Sequence, residues 1–130
     1  MMLKRFLAIT LLFTFAVLAA PRTPSITQAQ TRSELRCGWF SNPTPGNAWL
    51  IDKDGEWTIG VQGGYQANGE WPNIADSQWV RTNVHYGYGC ACIRASVDRK
   101  TERVIEIKSS YGKPLLACRN DRALRRKEPK

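Results

Sequence analysis

CACIRASVDRKTERVIEIKSS, residues 90–110, alternates apolar and polar side chains on both flanks of a short charged loop. Period-two alternation marks half-buried strands, and the loop between them makes the pair a hairpin. A loop from Asp98 to Glu102 pairs Val97 with Arg103, Ala95 with Ile105 and Ile93 with Ile107. That register gathers the apolar side chains on one face. The other face sets Arg94 opposite Glu106, a favourable pair, with Cys90 and Cys92 beside Arg94.

The same reading extends upstream. NAWLIDKDGEWTIGV, residues 47–61, forms a hairpin around Lys53, Asp54 and Gly55. The expected register sets Ile51 opposite Trp57 and Trp49 opposite Ile59, with both tryptophans in the core. The remaining segments are punctuated by turn residues. SNPTPGN (41–47) is a rigid loop, and QGGYQANGEWP (62–72) carries Gly63-Gly64 and Asn68-Gly69. Pro114 breaks the chain before LLACR (115–119), a short strand or a single helical turn. No stretch beyond residue 29 keeps a long 3.6-residue apolar period. The expected fold class is all-β: a small antiparallel sandwich or partly open barrel of about five to seven strands, stapled by two disulfides.

MMLKRFLAITLLFTFAVLAA, residues 1–20, has the layout of a secretory signal peptide, with Lys4 and Arg5 ahead of an uncharged apolar run. The run is about 15 residues, short of the roughly 20 that cross a bilayer. Cleavage fits after Ala19 or after Ala29. The expected layout is a signal peptide at 1–29, a disulfide-bonded β domain at 30–118 and a basic C-terminal tail at 119–130. Processing leaves no transmembrane segment, and the expected location is periplasmic or secreted.

The formal net charge of +8 is unevenly spread. Residues 119–130, RNDRALRRKEPK, hold six basic and two acidic residues. Residues 30–118 hold ten basic and nine acidic residues. A nearly neutral body excludes a dedicated, specific nucleic-acid binder, which carries its basic face on the folded part. The tail is either a solvated terminus or an adhesive for an anionic surface.

All four cysteines, Cys37, Cys90, Cys92 and Cys118, lie beyond the signal region. An even count in a short exported chain reads as a disulfide framework. On an extended strand, residues i and i+2 stand roughly 6.6 Å apart. Bonded cysteines need Cβ atoms roughly 3.5–4.5 Å apart. Cys90 and Cys92 therefore each take one of Cys37 and Cys118. Redox sites place C-x-x-C at the opening of a helix, whereas C-x-C here precedes a strand. His85 with Cys90 and Cys92 lacks a fourth zinc ligand and would need free thiolates, so no metal and no cofactor is expected. Gly87 and Gly89 let the chain bend, or let other backbone pass closely, before the strand.

DKDGE (52–56) opens like a calcium loop, but its twelfth position is Gly63 and its flanks are strands. There is one histidine, and neither Ser41 nor Ser77 sits in a nucleophile elbow. Asp52, Asp54, Glu56, Glu70 and Asp76 lie in turns that mark no two of them as a catalytic pair. No catalytic residue is assigned.

Trp39, Trp71 and Trp79 occupy turn-rich or polar contexts, with Tyr86 and Tyr88 close by. Exposed Trp and Tyr make flat platforms with a polar handle. These five are the candidate ligand-binding residues. The plainer alternative is that a small β domain uses its aromatics as core filler.

The run CGWFSNPTPGNAWL, DKDGEWTIGVQGGYQ, YGYGCAC, EIKSS and PLLAC, from Cys37 to about Arg119, resembles a family of small exported bacterial proteins known as a domain of unknown function. The resemblance implies export and disulfides. It carries no active site, ligand or partner to transfer. The expected function is non-catalytic binding of an envelope glycan or another polyanionic surface. The alternative is inhibition of a hydrolase, such as a lysozyme or protease, with SNPTPGN as the inserting loop. A small enzyme or metal binder comes third.

Overall fold

The computed structural model describes residues 32–130, so the expected signal peptide lies outside the described residues. Among them, six strands follow in chain order: β1 (Glu34–Thr44), β2 (Asn47–Asp52), β3 (Glu56–Gly60), β4 (Val80–Asn83), β5 (Tyr86–Asp98) and β6 (Arg103–Lys113). One helical turn, α1 (Leu115–Arg119), comes after them. No helix among the described residues is long and apolar enough to cross a membrane.

β5 is the hub. It pairs with β1 on one side, and on the other with β6 along most of its length and with β4 at its start. The remaining pairings, β1 with β2, β2 with β3 and β3 with β6, close a ring of five strands, and β4 extends the sheet. The all-β expectation holds in the form of a partly open barrel. One detail differs from a wholly antiparallel sheet: β3 and β6 run parallel. Five strands cannot alternate direction all the way round a ring, so one parallel pair is unavoidable. That seam has a single bridge, Thr58 to Arg103. Beyond it, residues 67–68 stitch the gap: the Ala67 amide donates to the Ile59 carbonyl (2.8 Å) and the Ile107 amide to the Asn68 carbonyl (2.8 Å).

The barrel interior holds Phe40, Leu50, Trp57, Ile59, Ile93, Val104 and Ile107, with Ala91, Ala95 and Val97 of β5 among them. Small inner side chains on the hub strand suit a narrow barrel, whose interior is filled rather than hollow. Gly87 and Gly89 make the close approaches expected of them. A Cβ on Gly87 would collide with the carbonyl of Val80 on β4, and one on Gly89 would come within 2.9 Å of Ile74.

Both hairpins form, but neither in the expected register: the first is one residue out, and the second is one residue out at Val97, two at Ala95 and three at Arg94. Leu50, not Ile51, faces Trp57, and Trp49 faces Thr58. Ala48, Leu50 and Asp52 point inward, while Trp49 and Ile51 stay half-buried on the outer side. Trp49 is therefore not in the barrel core. A one-residue slip exchanges the faces of a strand, and the cause here is Asp52. Its Oδ1 accepts from the amides of Asp54 (2.8 Å) and Gly55 (3.1 Å) and from the Trp57 indole (3.0 Å), so this acid is buried.

In the second hairpin Val97 faces Val104, Ala95 faces Ile107, and Arg94 faces Ser109 rather than Glu106. The register shifts twice, between Arg94 and Ala95 and between Ser96 and Val97. Each bulge adds a residue to one strand. Together they turn Val104 and Ile107 inward and leave Ile105 exposed.

A second apolar layer lies outside the ring. Trp39, Tyr88, Cys90, Cys118 and Leu124 are buried there, with Ile51, Val80 and Leu115 against them. Cys37 bonds Cys92 directly across the β1–β5 ladder, and Cys90 bonds Cys118, which pins α1 to β5. Both fall within the expected pairings. By loop entropy each is worth about 3–4 kcal/mol.

Candidate functional site

One end of the barrel is shut by ions. Arg36 points inward from β1, 5 % exposed, with its guanidinium 3.9 Å above the Trp57 ring. It pairs with buried Asp52 and also reaches Glu34 (2.9 Å) and Asp54 (3.2 Å). Burial pushes the Arg36 pKa down, but the hydrogen bonds to Asp52 and Glu34 outweigh it and hold the guanidinium above its ordinary value. Every buried side-chain polar atom among the described residues has a partner. This end is a satisfied structural plug: Asp52 Oδ1 accepts three hydrogen bonds and its Oδ2 pairs with Arg36.

The other end is different. Phe40 forms its floor, with Trp71 at 5.9 Å between ring centres and Trp79 at 6.2 Å. Both tryptophans are only partly buried. They arrive by separate routes. Trp79 and Arg81 share the inner side of the β4 segment by alternation. Trp71 comes from the 69–75 segment, which can lie close because Gly89 offers no side chain to Ile74. The resulting open cleft of about 270 Å³ is lined by Phe40, Trp71, Ile74, Trp79 and the polar rim of Asn42, Asn73, Asp76, Arg81 and His85.

The rim is held in place. The Trp79 indole donates to the His85 carbonyl (3.0 Å), and the Leu115 amide donates to the Gln78 side-chain oxygen (2.9 Å). Asn42 donates to the carbonyls of Thr44 (2.9 Å) and Asn47 (2.6 Å), which fixes the β1–β2 turn beside the cleft; of the expected loop SNPTPGN, residues 41–44 instead finish β1 and Asn47 opens β2. The Asn83 side-chain Nδ2 donates to the Pro43 carbonyl (3.4 Å), tying the β4–β5 turn to the end of β1. At the tip of this turn Val84 is 80 % exposed with φ of 55°. Positive φ in a β-branched residue is strained.

The five candidate aromatics divide. Trp71 and Trp79 meet in the cleft. Tyr86 stands next to it, its ring 4.6 Å from that of His85. Trp39 and Tyr88 do not belong to any exposed surface: they pack edge to face at 5.6 Å in the outer apolar layer. Their side chains alternate away from the barrel interior, and residues 119–130 cover that side. The reading from sequence missed Phe40 as the floor, and Asn42, Asp76, Arg81 and His85 as the rim. Period-two alternation from Trp79 to Arg81 was the one available signal. The four cysteines are all bonded, and no cluster of three metal-ligating side chains occurs among the described residues.

The family model described as "Protein of unknown function (DUF4087)" matches residues 31–125, and the chain belongs to that family. No curated protein and no solved structure gives a match. The matched span covers the barrel, both disulfides and the start of the docked C-terminal segment.

Proposed function

We propose that this member of the DUF4087 family is a non-catalytic binding module of the periplasm or cell exterior, and that its ligand is an envelope glycan. The observation that carries this reading is the pair Trp71 and Trp79, part-exposed in a barrel mouth and ringed by hydrogen-bonding side chains. Barrel mouths favour ligands that need an apolar platform and a few placed polar groups. A sugar ring offers a C–H face to stack on an indole and hydroxyls for Asp76, Asn73 and Arg81. Tyr86 and His85 extend the platform to one side. The test is a titration of tryptophan fluorescence with soluble peptidoglycan fragments. Saturable quenching that disappears in Trp71→Ala and Trp79→Ala supports the reading. A flat titration across disaccharide and longer fragments overturns it.

A second reading rests on a specific observation at the same end. The β1–β2 turn within SNPTPGN is braced from within and without, and the strained Val84 tip projects beside it. A preorganised loop loses little entropy on docking, which suits insertion into a hydrolase such as a lysozyme or protease. A stoichiometric complex with a hydrolase on gel filtration, lost in Val84→Gly but kept in Trp71→Ala, favours this reading over the glycan one.

A further inference from the structure

Residues 119–130 look like a loose basic tail in the sequence, but they are built into the fold. Leu124 is 4 % exposed, and its carbonyl accepts the Trp39 indole N–H (2.9 Å). Lys127 donates to the carbonyls of Asp52 (2.8 Å) and Lys53 (3.2 Å). Glu128 accepts from Arg119 (2.7 Å) and from the Tyr88 hydroxyl (3.0 Å). Disulfide-bonded Cys118 anchors the start of the segment.

Docking this backbone turns the remaining cations outward. Arg122, Arg125, Arg126 and Lys130 are exposed. Among the described residues none of them has a carboxylate partner, since the ion pairs involve Arg36, Lys53, Arg99, Lys108 and Arg119. An exposed apolar group adjoins this segment in the chain. Leu115 and Cys118 of α1 face the outer layer, which leaves Leu116 63 % exposed, one helical turn from Arg119. Arg119 in turn holds Glu128, which ties α1 to the arginine turn at Arg125–Lys127.

We propose that this surface docks the protein on an anionic phospholipid bilayer. The inference does not rest on the glycan reading, because it uses the outer face and not the barrel mouth. Unpaired outward cations on a docked backbone, together with an exposed leucine on the adjoining helical turn, match a bilayer, which offers phosphates at its surface and an apolar layer just below. A nucleic acid offers only the first of these. Docked this way, the cations are held in register, where a free tail would spend its contacts on any polyanion.

The test is cosedimentation with vesicles of phosphatidylcholine alone or mixed with phosphatidylglycerol, beside a double-stranded DNA oligonucleotide as a purely polyanionic probe. Binding should need phosphatidylglycerol and fall steeply with salt. Removing three cations in Arg122→Ala/Arg125→Ala/Arg126→Ala should weaken vesicle binding by at least about tenfold. Leu116→Ser should weaken vesicle binding several-fold and leave DNA binding unchanged. All four side chains are exposed, and an unaltered near-ultraviolet circular dichroism spectrum confirms that the variants fold. Absence of phosphatidylglycerol-dependent binding overturns the proposal. So does a Leu116→Ser variant that binds vesicles as well as the parent, which would reduce the surface to an unselective polyanion patch.

Discussion

Trp39 on β1 donates its indole N–H to the carbonyl oxygen of Leu124, a residue 85 positions later in the chain. The bond closes the outer layer over a tryptophan on the barrel's outside. Trp39 is fully buried as a result. The C-terminal segment is thus part of the structural core as well as the main site of positive charge.

Replacing Leu124 should test that role. Leu124→Ala removes the segment's buried anchor and should cost about 2–4 kcal/mol, within the range for leucine truncations in a core. Urea unfolding measures the loss, and the Trp emission of the folded state should move to longer wavelength as Trp39 gains water. A variant with unchanged emission and a loss under about 0.5 kcal/mol, the range of a surface change, would show that the segment does not cover Trp39.

The Arg36–Asp52 pair gives a second prediction. Taking one partner from a buried ion pair leaves a desolvated charge, and losses of about 3–5 kcal/mol are usual. Asp52→Ala should fall in that range, because Asp52 also holds the β2–β3 turn and the Trp57 indole. Arg36→Met should cost less, since the methionine still covers Trp57. A double-mutant cycle by urea unfolding should show a coupling energy above about 1 kcal/mol between the two sites. Additive losses would contradict a direct ionic coupling.

Asp52 also shows where the sequence stops being legible. The four strands of the two hairpins and the partners open to each cysteine follow from alternation and spacing, whereas β1, whose end falls in SNPTPGN, and β4 do not. The narrow passage at Gly87 and Gly89 follows too. The register of the first hairpin does not, because it turns on a buried acid that pattern reading assigns to solvent. Its countercharge, Arg36, lies on another strand. In the second hairpin two bulges replace a uniform register, and Ile105 and Val104 exchange faces. The C-terminal segment has a single apolar anchor among six cations, so its docking is a tertiary event with no local signature. The site was half legible for the same reason. Trp71 and Trp79 could be picked out as aromatics in polar contexts, but Trp39 and Tyr88 occupied similar contexts and are covered by that segment.

Strain at the β4–β5 turn gives a third prediction. Val84 holds φ at 55° while 80 % exposed, so its side chain gains little burial in return. Holding a non-glycine residue in this region costs about 1–3 kcal/mol. Glycine adopts it freely but loses about 0.5–1 kcal/mol more in chain entropy. Val84→Gly should therefore raise stability by about 1 kcal/mol, read as a higher thermal midpoint. A lower midpoint would mean that Val84 makes contacts that outweigh the strain. Stabilisation combined with loss of a protein partner would mark the valine as kept for docking.

The last prediction concerns acid. The hydrogen bond from Arg119 holds the Glu128 carboxyl below its ordinary 4.5; burial opposes this, and the Tyr88 hydroxyl adds to it. Burial first, and then the bond to Glu128, raise the Tyr88 phenol, with Arg119 acting against them. A carboxylate whose folded pKa is depressed contributes stability that is present above its unfolded value and lost as pH falls through its folded value. The latch at Glu128 should accordingly be intact at neutral pH and weaken below about pH 4.5, with no change from neutral conditions toward mild alkali. The Trp39 indole proton reports on the latch directly, because it is bonded to Leu124 four residues from Glu128. Its nuclear magnetic resonance signal should hold its chemical shift down to the carboxylate range and then move as the bond to Leu124 loosens. Glu128→Gln removes the titrating group, so its indole signal should lose that acid transition and exchange faster at every pH. If the variant keeps the transition, the acid response belongs to other carboxylates, and Glu128 is not the latch.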